Sequence, residues 1–133
     1  MIIKTAQEMV SFGENFAKTL QPPVALQLIG DVGAGKTTFT QGLAKGLGIS
    51  EPVTSPSFVI SKRYVGKKAN LVHYDFYRLD DPGIMVEDLA ESLSEKNTVV
   101  VVEWGGNIEG ILPKDCKKIE IKLRDDGARE VIL

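Results

Sequence analysis

A glycine, four residues of free choice and then Gly-Lys-Thr suit one kind of chemistry, the cradling of nucleotide phosphates, and Gly30-Asp31-Val32-Gly33-Ala34-Gly35-Lys36-Thr37 meets that spacing at every fixed position. Chance would produce it in roughly one unrelated chain of this length in a few hundred, given ordinary residue frequencies, so it is read as a P-loop rather than as a Gly-rich strand-to-helix turn. Gly33 and Gly35 let the backbone turn its N–H groups inward, where those donors and the N-terminus of a following helix meet phosphate oxygens. Lys36 is then placed to reach the β/γ-phosphates, and the Thr37 hydroxyl to ligate Mg²⁺.

Two carboxylates occupy positions that such a site needs. Thr98-Val99-Val100-Val101-Val102-Glu103-Trp104 has four successive valines, the mark of a central strand buried on both faces, and it ends in an acid. An acid at the tip of a buried strand beside a P-loop holds Mg²⁺ directly or through water, so Glu103 is read as that group rather than as a solvated carboxylate. Trp104 fits padding at the strand end. In Leu71-Val72-His73-Tyr74-Asp75-Phe76-Tyr77-Arg78, alternation puts Val72, Tyr74 and Phe76 on one face and His73, Asp75 and Tyr77 on the other. Asp75 fits either a solvated strand acid or a second acid near the site. His73 is read as a strand-surface histidine, because no other His or Cys is at hand to share a metal.

The elements that must position these residues are legible around them. Val24 to Ile29 is an apolar run suited to the buried strand before a P-loop, and Thr38 to Leu47 continues as a helix with Phe39, Leu43 and Leu47 on one face. Gly46 and Gly48 are its C-cap candidates. Residues 5–20 read as an amphipathic helix: Thr5 and Glu8 form a capping box, Met9, Phe12, Phe16 and Leu20 recur at helical spacing, and Gln21-Pro22-Pro23 stops it. Val53-Thr54-Ser55-Pro56-Ser57-Phe58 fits equally a Ser-Pro turn and a switch-like loop that senses the γ-phosphate. Residues 57–64 and 71–77 read as a hairpin about Gly66 to Asn70, and Asp81-Pro82-Gly83 opens a helix over 83–94 that carries Ile84, Leu89 and Leu93 inward. Residues 117–123 and 129–133 form a second hairpin about Asp125-Asp126-Gly127. The expected fold class is α/β: a single-domain, P-loop NTPase-like three-layer sandwich over residues 1–133, with a mixed, mainly parallel central sheet.

Composition narrows the function classes. With 133 residues, 43% hydrophobic and 26% charged, the sequence is that of one globular domain. No apolar run is of membrane-crossing length, and Met1-Ile2-Ile3-Lys4 leads straight into a polar helical pattern, so the expected compartment is the cytoplasm. The single cysteine, Cys116, excludes an internal disulfide and reads as a half-buried thiol at a strand edge. The net charge is −2, with Lys and Arg scattered apart from short pairs, so any contact with RNA is expected to run through another protein. A small-molecule kinase would share the P-loop, but Arg63, Arg78, Arg124 and Arg129 are dispersed and no insertion is long enough for a lid. A non-hydrolysing nucleotide-gated module would have no use for both acids, and no Asn-Lys-x-Asp stretch points to guanine.

The P-loop through Thr38, the loop Thr54-Ser55-Pro56-Ser57-Phe58, the stretch His73-Tyr74-Asp75-Phe76-Tyr77-Arg78-Leu79 and the pair Glu103-Trp104 together resemble the bacterial TsaE family in order and spacing, over essentially the whole chain. Members are small P-loop ATPases required to make N6-threonylcarbamoyladenosine (t6A) in tRNAs that read codons beginning with A. The resemblance implies that Gly33, Ala34, Gly35, Lys36, Thr37 and Thr38 grip ATP or ADP, and that Thr37 and Glu103 serve Mg²⁺. It implies further that Asp75 is needed for hydrolysis, that Trp104 lies beside the nucleotide, that Arg129 borders it, and that main chain near Thr5 touches the base. The implied partner is the TsaD–TsaB complex, with tRNA met only through it, and the implied task is an ATP cycle that sustains that complex. The sequence departs from the family pattern at three points. Ser57 stands where Thr is usual, Gly105-Gly106 replaces a Pro-acid pair, and a glycine often found in the helix after Tyr-Arg-Leu is not evident. The chain also stops soon after its last strand, short of the tail of longer members.

Overall fold

The computed structural model describes residues 1–56, 60–77, 83–104 and 110–133, and of Ile84 the backbone alone. In chain order the elements are β1 (Ile2–Ile3), α1 (Ala6–Ala17), β2 (Val24–Ile29), α2 (Lys36–Gly46), β3 (Ser61–Tyr64), β4 (Asn70–Asp75), α3 (Gly83–Ser94), β5 (Thr98–Glu103), β6 (Lys117–Leu123) and β7 (Arg129–Ile132). They build one seven-stranded sheet in the order β1-β7-β6-β2-β5-β4-β3. Its four central strands, β6-β2-β5-β4, are parallel, and antiparallel partners close both sides. The mixed α/β fold therefore stands as expected, its parallel part being the interior of the sheet.

The valine run explains the placement of β5. Val99 and Val101 enter one core with Leu26, Leu28, Ile119, Ile121 and the apolar faces of α1 and α2, whereas Val100 and Val102 enter a second core with Val72, Tyr74, Phe76 and Leu89 of α3. A strand buried on both faces belongs at the centre, and β5 lies between β2 and β4. The first core is tied together by Phe39 and Leu43 of α2, both wholly buried, each such side chain contributing about 1.5–3 kcal/mol by leaving water. Phe12, Phe16 and Phe39 meet as an aromatic triad with ring centroids 5.7–6.0 Å apart.

Helix α1 begins where the capping signal put it. The Thr5 hydroxyl accepts from Glu8 N–H at 3.0 Å, and the Glu8 carboxylate accepts from Lys4 N–H, one residue before the cap. The helix ends at Ala17 rather than at residue 20, and Leu20 is buried beyond its end. Helix α2 begins two residues earlier than expected, at Lys36; Gly48 takes the left-handed conformation after its end, and Gly46 instead packs inside it against Ala17. The strand expected over 57–64 is described only as Ser61–Tyr64, with Ile60 at φ 71° before it; residues 57–59, including Ser57 and Phe58, lie outside the described residues. The same is true of Arg78, Leu79, Asp81, Pro82, Gly105 and Gly106. Strand β4 ends at Asp75, not residue 77, and β1, two residues paired with β7, had no counterpart in the sequence reading. No helix among the described residues is long and apolar enough to cross a membrane.

Candidate nucleotide site

The P-loop leaves the end of β2 and enters α2 through two glycines with left-handed backbones, Gly33 at φ 84° and Gly35 at φ 113°. An L side chain would strain either position by about 1–2 kcal/mol. Ala34 N–H closes the turn on the Asp31 carbonyl at 3.0 Å, and the first helical bond of α2 runs from Phe39 N–H to the Gly35 carbonyl at 2.9 Å. Gly35, as N-cap, offers no side-chain acceptor, so the N–H groups of the first turn open onto the cleft that Lys36, Thr37 and Thr38 line. That is an anion cradle, and the donor set fits a phosphate chain.

Strand register delivers the acids. Asp75 of β4 pairs with Glu103 of β5, so the two carboxylates stand side by side at the tips of adjacent parallel strands, both buried. They line a cleft of about 320 Å³ together with Asp31, Gly33, Gly35, Lys36, Thr37, Thr38, Ser55, Trp104 and Arg129. A larger open cleft of about 810 Å³ runs on the other side of the P-loop, along the ends of β2 and β6, but it lacks Lys36, Asp75 and Glu103. The residues expected to do chemistry therefore line the smaller one.

Lys36 is buried in that cleft. Its ammonium donates to the carbonyls of Gly30 and Asp31, lies 3.9 Å from Glu103 Oε1, and sits 4.7 Å from the centre of the Trp104 ring. Burial pushes it below the usual lysine range, against the opposing pull of Glu103, Asp75 and Asp31. Trp104 reaches this position through a left-handed backbone, φ 58°, which is unusual for a bulky residue. The exposed Tyr77 ring packs against it, centroids 4.8 Å apart. Asp75 Oδ1 accepts from Tyr77 N–H at 2.9 Å, and Phe76 N–H donates to the Glu103 carbonyl at 3.1 Å, joining the two strand tips.

Arg129 is in the cleft, where it acts on the loop itself. Its Nε donates to the Ala34 carbonyl at 3.0 Å and an Nη to the Gly33 carbonyl at 3.2 Å, so β7 braces the P-loop from outside. Thr5 and Arg129 also line a small cleft of about 90 Å³ that shares Gly35 and Thr38 with the phosphate cleft. Ser55 reaches the cleft wall, and Thr54 is held by the Lys62 ammonium of β3.

One residue was misassigned. His73 is not on the surface: it is wholly buried, and its Nε2 meets Glu103 Oε2. Alternation grouped it correctly with Asp75, but that face of β4 looks into protein rather than solvent. Among the described residues no group of three or more His, Cys, Asp or Glu side chains forms a metal cluster, so a cation here would depend on Thr37, Glu103 and the phosphates themselves. The chemistry of that donor set suits Mg²⁺, which takes few protein ligands beside substrate oxygens.

Comparison with known proteins gives the family. A family model described as "Threonylcarbamoyl adenosine biosynthesis protein TsaE" matches residues 3–131. The chain is similar to the tRNA threonylcarbamoyladenosine biosynthesis protein TsaE of Bacillus subtilis, at 40% identity over 94% of this chain and 78% of that one. It is similar also to that of Streptomyces coelicolor, at 44% over 90% and 80%, and to that of Treponema pallidum, at 34% over 98% and 96%. The crystal structure of YdiB from B. subtilis superposes with a TM-score of 0.81 at 34% identity, covering 98% of this chain and 80% of that one.

Proposed function

Because the chain belongs to the TsaE family of threonylcarbamoyl adenosine biosynthesis proteins, we propose that its part in making t6A is to bind and hydrolyse ATP with Mg²⁺ in the cytoplasm, and through that cycle to sustain the TsaD–TsaB complex that modifies tRNA. The observation that carries this reading is the convergence of Lys36, Thr37, Asp75 and Glu103 on one cleft at the N-terminus of α2.

The steps follow from what these residues can do. Backbone N–H groups from Gly33 to Thr38 donate to phosphate oxygens, and Lys36 gives up the carbonyls of Gly30 and Asp31 for the β/γ-phosphates. Thr37 and Glu103 would hold a Mg²⁺, which would supply positive charge against the developing charge of the phosphates. Asp75 accepts a hydrogen bond from the water that attacks the γ-phosphorus as the bond to the ADP oxygen breaks. On this reading Trp104, against Lys36, would flank the phosphates, Arg129 would steady the P-loop through the Ala34 and Gly33 carbonyls, and main chain near Thr5, beside the small cleft shared with Gly35 and Thr38, would meet the base.

Lys36→Ala tests the assignment. It removes the ammonium from the phosphates without touching either core, so ATP affinity should fall by at least about tenfold, the worth of a hydrogen bond to a charged group. Calorimetry with Mg²⁺ present reads the loss, and unchanged affinity would refute the P-loop reading.

A further inference from the structure

One buried side chain at the cleft has no task in the scheme above. His73 lies two residues before Asp75 on β4 and is paired in register with Val101, so its ring reaches diagonally to Glu103, two residues further along β5. The Glu103 carboxylate is thereby held at Oε2 by His73 Nε2, while Oε1 faces Lys36 Nζ at 3.9 Å, too far for a hydrogen bond. With the carboxylate as acceptor, Nε2 carries the proton, and Nδ1 is left buried with no hydrogen-bond partner. An unpaired buried acceptor is costly. A leucine of similar size would fill the same space without that cost, so packing alone does not account for an imidazole here. The hydrogen bond to Glu103 does.

We propose that His73 is a positioning residue for Glu103: its Nε2–H holds Oε2 and so fixes the rotation that presents Oε1 to the cation at the cleft. The inference rests on the reading of Glu103 as the acid that supports Mg²⁺. A glutamate has three rotatable bonds, and at a strand tip its head group would otherwise sample several orientations. The histidine removes that freedom as outer partners of metal-supporting carboxylates do, an arrangement typically worth 10–100-fold in metal affinity.

The experiment uses Mn²⁺ as probe, its binding to the protein–ADP complex being followed by electron paramagnetic resonance, with ADP affinity in chelator and Tm measured alongside. His73→Leu should weaken Mn²⁺ binding 10–100-fold while leaving metal-free ADP affinity unchanged and Tm equal or higher. His73→Gln keeps an N–H near the Nε2 position and should stay within about threefold of the unsubstituted protein. His73→Asn is too short to reach and should behave like His73→Leu; this Gln–Asn contrast carries the test if His73→Leu does not fold. Equal Mn²⁺ affinity in all four proteins, or equal loss in Gln and Asn, would overturn the positioning role alone. Mn²⁺ bound no more tightly by the unsubstituted protein with ADP than by ADP itself would overturn the metal reading of Glu103 together with this inference.

Discussion

At the scale of single residues, Asp75 and Glu103 look interchangeable: two buried acids, paired in register, facing the same lysine. Their surroundings separate them. Glu103 is held through Oε2 by His73 while Oε1 faces Lys36 Nζ at 3.9 Å, as suits a metal-supporting group, whereas one Asp75 oxygen accepts from Tyr77 N–H at the mouth of the strand. Glu103→Gln should therefore raise the Mg²⁺ concentration needed for half-maximal activity by about 10–100-fold while keeping turnover at saturating metal. Asp75→Asn should lower turnover by about a hundredfold or more with nucleotide affinity little changed. Steady-state rates over a Mg²⁺ series check both, and wild-type turnover in both variants would remove the strand-tip acids from the reaction. The residues of the proposed phosphate cradle were legible because their spacing is itself the signal of that chemistry. His73 was not, because alternation along a strand says which residues share a face but not what lies opposite; here it is a carboxylate 30 residues away in sequence.

At the scale of elements, the P-loop is held by what packs on α2. Helices α1 and α2 cross so closely that a Cβ on Gly42 would lie 2.1 Å from the Val10 carbonyl oxygen, and one on Gly13 would lie 2.4 Å from that of Phe39. Both obstacles are backbone, so a methyl group must push the helices apart. Gly42→Ala should cost about 1–3 kcal/mol, lowering Tm by roughly 4–12 °C, and should weaken ATP binding as the start of α2 shifts with its body. Thermal unfolding and calorimetry of one sample check this, and a Tm within about 1 °C of the original would contradict the close-packing account. Long periodic elements such as α3, expected over 83–94 and observed as Gly83–Ser94, were readable because many residues vote on one period. Strand β1 has two residues and no period to read; it exists because β7 offers it an edge. Strand β3 is described from Ser61, and just before it Ile60, whose carbonyl accepts from Asp75 N–H, adopts a left-handed backbone that no strand period in the sequence signals.

At the scale of the whole molecule, the seven-stranded sheet carries the cleft proposed for the nucleotide, and the described residues show no basic stripe beside it. The net charge is −2, and the three arginines among the described residues are engaged apart from one another: Arg63 by Ser92 and Glu95, Arg129 by the P-loop, and Arg124 by Asp126. Nothing there matches the basic stripe that a protein gripping tRNA for itself would show. If the chain binds and splits ATP as proposed, and the described residues form no second substrate site, the resulting change would be directed at another protein. The segment after α2 would convey it in the proposed cycle, since Ser55 lines the cleft, Thr54 is held by Lys62 of β3, and Gln41 of α2 donates to the Val53 carbonyl at 3.1 Å. Ordering of that segment by a partner would align the attacking water in the assembly and leave the isolated protein slow. The most direct test reconstitutes the TsaD–TsaB complex with tRNA and a threonylcarbamoyl donor, and counts t6A formed per complex over many turnovers with this protein, with its Lys36→Ala variant, or with neither. Sustained turnover with the unsubstituted protein alone is the predicted result; the same turnover in all three reactions would contradict the account, even if ATP binding stood.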